Sequence, residues 1–166
     1  MDNAAVLFLL RAIHIVGGIL WVGGVVFVTF FLVPATQALG PAAQPMMQFI
    51  MGRRKLSIYL MVLGILTTLA GLLLMARNVS ESGGEWARSP MGIGMSVGAA
   101  SAILALVVGL TVNMPAAKRL GPPTPGAAPI TDEQRAALMG RIALGSRIVF
   151  VLLVIAALVM ATARYY

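Results

Sequence analysis

Four stretches of the chain, residues 4–34, 56–76, 91–113 and 141–163, are almost unbroken runs of apolar side chains. Each reaches or passes the ~20 residues that an α-helix needs to cross the hydrocarbon of a bilayer. A soluble domain of 166 residues, 60% of them hydrophobic and 10% charged, could not hide that much apolar surface in one core. The expectation is therefore an all-α integral membrane protein. One four-helix bundle covers residues 1–166, with helices near 4–34, 45–77, 90–113 and 131–164 and no internal repeat. The first segment lacks a basic leader and is about twice the length of a signal-peptide core, so it reads as a mature helix.

The net charge of +7 does not indicate a nucleic-acid partner, because the twelve Lys and Arg residues are scattered over loops and helix ends. They act instead as topology signals. Arg53, Arg54, Lys55, Lys118, Arg119, Arg135 and Arg141 fall on one side, and Arg11, Arg77, Arg88 and Arg164 on the other. The side richer in cations is expected in the cytoplasm, which puts the first and third loops inside and both termini outside. Trp86, Tyr165 and Tyr166 then fall at the outer interface, where amphipathic rings settle at headgroup depth. The expected location is a bacterial inner membrane.

Helix ends carry recognisable chemistry. Ser89 followed by Pro90 predicts an N-cap and first-turn proline. Thr131 to Gln134 has the capping-box pattern, and "GPPTPGAAP" at 121–129 excludes a helix. Pro45 is expected to start the second helix early, and Pro115 to stop the third.

The chain has no cysteine and one histidine, His14, which sits inside the first apolar run. Thiol chemistry, disulfides and iron–sulfur clusters are thereby excluded, as is a zinc or copper(II) site built from several histidines. The five carboxylates all lie at helix ends, so a carboxylate pair within the membrane is excluded too. An ionisable group in hydrocarbon is costly and is by default a functional candidate. Helical spacing places His14, Gly18 and Trp21 on one face, with Gly17 beside them. That face reads in two ways. Gly17 and Gly18 could admit a flat macrocycle with His14 as its axial ligand, or they could let a second helix pack closely while His14 bonds a neighbouring carbonyl.

Helix-depth arithmetic puts His14 about 9 Å and Met95 about 10 Å outward of the midplane, and Met75 and Met160 about 12 to 14 Å. Met95 is thus the methionine expected to complete an axial pair or, with Met75 or Met91, a Cu(I) site. Methionines in an apolar chain are otherwise packing material. Arg11, one turn outward of His14, is suited either to snorkelling or to a propionate. Arg147, inside the inner end of the fourth helix, has no acidic partner along the sequence and needs an anionic ligand or the headgroups.

These residues resemble the CopD-like and HemJ-like group of four-helix, cytochrome-b-like membrane proteins. The pattern that carries the resemblance is Arg11, His14, Trp21, Gly23 and Gly24 in the first helix, then "FFLVPA", then "GRRKLSIYLMVLGILTTLAGLLL". It covers about the first 75 residues. The HemJ branch implies haem b held by the histidine at position 14 and oxidation of a protoporphyrinogen, and this chain carries "LVPATQALG" where that branch has a second histidine motif. The CopD branch implies copper transport or resistance. The leading expectation is a haem-b redox protein with Arg11, His14, Gly17, Gly18, Trp21 and Arg147 around the cofactor, serving electron transfer or oxidation of a tetrapyrrole or quinol. The alternatives are Cu(I) transport through His14 and Met95, and a non-catalytic accessory subunit. A second copy or a larger membrane complex would supply any further ligand.

Overall fold

A computed structural model describes residues 3–121 and 130–165, and no strand occurs among them. Four helical stretches are long and apolar enough to cross a membrane. The first is a continuous helical path from Ala4 to Arg53. It comprises α1 (Ala4–Phe27), a π-helical turn (Val28–Leu32), α2 (Val33–Leu39), a 3-10 turn (Gly40–Ala43), α3 (Gln44–Gln48) and a second π turn (Phe49–Arg53). The Asn3 side chain caps α1 by accepting from the Ala5 amide. α4 (Leu56–Glu81) returns across the bundle, and the short α5 (Glu85–Arg88) leads to α6 (Pro90–Val108). A third π turn (Gly109–Asn113) passes into α7 (Met114–Leu120), and α8 (Asp132–Thr162) forms the last span.

The caps at Ser89 and at Thr131 with Gln134 form as expected. The second helix does not start at Pro45. Residues 44–53 belong to the first helical path, and the break comes at Lys55, whose φ of 52° is left-handed. Nor does Pro115 end the third span. Its ring would clash with the carbonyl four residues back in a regular helix, and the π turn before it widens the backbone there. "GPPTPGAAP" falls almost wholly outside the described residues, as does Tyr166.

The same device occurs at Pro34. In both places a five-residue π turn precedes a seven-residue helix with proline near its start, ending in Leu-Gly: "VTFFLVPATQALG" at 28–40 and "GLTVNMPAAKRLG" at 109–121. The two hairpins, α1 with α4 and α6 with α8, thus share this junction. α1 packs chiefly on α4 and α6 on α8, with lesser contacts between α4 and α6 and between α1 and α8. α1 and α6 are therefore diagonal.

Small residues line the seams, including Gly17, Gly64, Gly98, Ser101, Ala105 and Gly145, all buried. Such residues let backbones approach where no hydrophobic force drives helices together. One core cluster holds Trp21, Val25, Ala105, Val149 and Leu153; another, at the far end, holds Val28, Leu32, Met47, Leu120 and Ile142. Phe8, Ile19, Leu144 and Leu158 point outward at 61–75% exposure, an arrangement that lipid solvates and water does not.

Candidate functional site

His14 faces α4, where its Nδ1 lies 2.8 Å from the carbonyl oxygen of Thr67. A carbonyl can only accept, so this bond places the imidazole proton on Nδ1 and leaves the lone pair on Nε2. The ring reaches the α4 backbone because residue 71 is glycine: a Cβ there would stand 2.6 Å from Cε1 and 2.8 Å from Nδ1. Gly71 and Thr67 are one helical turn apart on a single face, so carbonyl and notch come as a unit. Neither residue stood out in the sequence. The mark they left was a hydroxyl and a glycine at four-residue spacing inside an apolar run that also carries Gly64 and Thr68.

The glycines of α1 serve the same seam. A Cβ on Gly17 would stand 2.6 Å from Thr67 Oγ1, and one on Gly18 would be 3.6 Å from Thr67 Cγ2. Thr67 therefore fills the groove expected beside His14. Its Oγ1 is buried without a hydrogen-bond partner, as is that of Thr68. Trp21 is also committed to packing. It is 5% exposed, and its ring lies 2.9 Å from where a Cβ on Gly64 would stand.

The remaining residues are dispersed. Arg11 is exposed on α1, one turn from His14. Arg147 is exposed on α8, and the carbonyl of its neighbour Ser146 accepts from Thr29 Oγ1 at 3.3 Å. Thr29 is more than four turns from His14, about 22 Å at 1.5 Å rise per residue, so Arg147 and Arg11 cannot serve one cofactor beside His14. Met95 lies on α6, diagonal to α1, and one turn on from it Gly98 receives Met160 of α8, with Cγ 2.6 Å from the position of a Cβ. The structure does not bring Met95 to His14. Met75 is better placed by register, one turn beyond Gly71 on the same face of α4.

Among the described residues there is no group of three or more His, Cys, Asp or Glu side chains able to hold a metal ion. A bare cation would have to rely on one imidazole and thioethers. A porphyrin brings four nitrogens of its own and asks the protein for a single axial donor. His14 fits that demand; Gly17, Gly18, Trp21 and Arg147 do not form the cradle expected of them.

Comparison with known proteins matched no family, no curated protein and no solved structure.

Proposed function

We propose that this membrane protein binds haem b through Nε2 of His14 and acts in redox chemistry, as the resemblance to the CopD-like and HemJ-like group implies. The observation that carries the reading is the bond from His14 Nδ1 to the Thr67 carbonyl. Histidines that ligate a metal donate their other ring nitrogen to a carbonyl or carboxylate, which fixes the tautomer and raises ligand basicity. Haem would supply one-electron chemistry at a potential set partly by that basicity. The roles left to this chain are to orient the imidazole through Thr67 and Gly71, and to offer Arg11 to a propionate at headgroup depth. With Thr67 filling the space at Gly17, haem would have to approach Nε2 of His14 from outside the α1–α4 seam, where a second copy or partner could complete the site. With both termini outward, this level lies in the outer half of a bacterial inner membrane.

A second reading is an accessory subunit without a cofactor. What favours it is that Thr67 occupies the space above Gly17, so His14 also serves as a tie between two helices. One experiment separates the readings: absorption spectroscopy of detergent-purified protein from haem-replete cells. A Soret band abolished in His14→Ala, with helicity retained, supports haem ligation. A colourless wild-type protein overturns it, and stoichiometric copper in that protein would move the assignment to Cu(I) held by His14 and a methionine such as Met75.

A further inference from the structure

At the end of the bundle opposite His14, α2 and α3 lie against α7 and the start of α8 and leave a cleft of about 380 Å³. Met47, Leu120 and Met139 give it an apolar wall; Gln37, Gln44 and Arg135 supply its polar groups. Arg135 is the unusual member. Its side chain is 20% exposed, and its Nε is buried without a hydrogen-bond partner among the described residues. Asp132 stands at the rim 4.0 Å from that Nε, but at 90% exposure it is largely hydrated and does not satisfy the buried nitrogen. A largely buried guanidinium in the lining of a mainly apolar cleft favours an oxyanion beside it, most effectively a phosphate, whose geometry matches the planar fork.

The geometry points to a phospholipid site in this cleft: the phosphodiester rests on Arg135 and an acyl chain runs along Met47, Leu120 and Met139. The volume lies within the range of pockets that enclose small ligands. The apolar wall selects a lipid over free phosphate, which would leave that surface wet. Exposed Lys118 and Arg119 close by on α7, with Arg53 and Arg54 between the first two spans, make this end of the bundle cationic and attractive to an anionic headgroup. The site is independent of His14 and of any cofactor.

Native mass spectrometry of the delipidated full-length protein tests it, with phosphatidylglycerol and inorganic phosphate as separate probes. The wild-type chain should retain one phosphatidylglycerol, and Arg135→Gln should lower that retention about tenfold, as expected for a lost charge-assisted bond. Met139→Trp, which fills the cleft and leaves the charge in place, should also lower it. Arg88→Gln, an exposed cation at the opposite end of the bundle, should leave it intact. Equal retention in wild type, Arg135→Gln and Met139→Trp overturns the proposal. So does displacement of the lipid by millimolar phosphate, which would mark a site for small anions.

Discussion

His14 Nδ1 and the Thr67 carbonyl oxygen meet at 2.8 Å across the α1–α4 seam, in the interior of two regular helices. That carbonyl also belongs to the α4 ladder, so it spends its second lone pair on the imidazole. Bonding to the backbone fixes register more firmly than bonding to a mobile side chain. The neighbouring pairs Gly17–Thr67, Trp21–Gly64 and Gly24–Leu60 follow the same antiparallel register down the seam.

Gly71→Ala is the sharpest probe of this contact. Its methyl would stand 2.6 Å from His14 Cε1, so the ring must leave its notch and surrender the bond to Thr67. Overpacking of this kind costs about 1–3 kcal/mol. The thermal midpoint in detergent should fall, and any bound chromophore should be lost or spectrally shifted even though His14 itself is present. An unchanged midpoint together with an unchanged spectrum would show that the imidazole does not sit over residue 71.

The two α1 glycines should respond differently to the same change. Gly17→Ala drives a methyl against Thr67 Oγ1, whereas at Gly18 the new methyl meets Thr67 Cγ2 at an ordinary 3.6 Å. Gly17→Ala should therefore destabilise and Gly18→Ala should be near neutral. Thr67→Ala should rescue Gly17→Ala, giving a coupling of about 0.5–3 kcal/mol in a double-mutant cycle of unfolding midpoints. A purely additive cycle would remove the claim that Thr67 fills this groove.

The spans were readable because membrane crossing depends on length and hydropathy, which need no tertiary information. The caps at Ser89 and Thr131 were readable because capping is local. His14 stood out as a polar atom in an apolar run. Its partner did not, since which face of α1 meets which face of α4 is decided by packing, and Thr67 and Gly71 matter only through that choice. The dispersal of Arg147 and Met95 from His14 has the same origin: depth alone placed Met95 level with His14, and the diagonal arrangement of α1 and α6 separates them. The break at Lys55 and the π turns before Pro34 and Pro115 depend on backbone states that propensity does not rank.

Orientation is testable directly because the chain contains no cysteine. Glu85 lies between α4 and α6 and Arg54 just before α4, both exposed and at opposite ends of the second span. If the termini face outward, Glu85→Cys should react with a membrane-impermeant maleimide on intact cells, and Arg54→Cys only after permeabilisation. The reverse pattern would invert the topology and place His14 in the inner half of the membrane.

The two-hairpin construction makes a prediction that crosses from one half to the other. Aligning Pro34 with Pro115 puts Leu32, buried at 5%, in register with Asn113, whose Oδ1 is buried with no hydrogen-bond partner. An unmet buried acceptor costs about 1–3 kcal/mol, and an apolar residue of similar shape removes that cost. Asn113→Leu, which copies the first hairpin's residue into the second, should hold or raise the unfolding midpoint. Space is the opposing consideration, because Asn113 packs against Gly145, where the added branch must be accommodated by α8. Since the cavity of about 80 Å³ beside Trp21 and Asn113 offers room on the other side, relief of the polar cost is expected to prevail. A clear drop in midpoint would mean either that α8 does not yield at Gly145 or that the amide oxygen is satisfied by water in that cavity. Asn113→Ala, which removes the oxygen without adding bulk, separates the two by falling only in the second case.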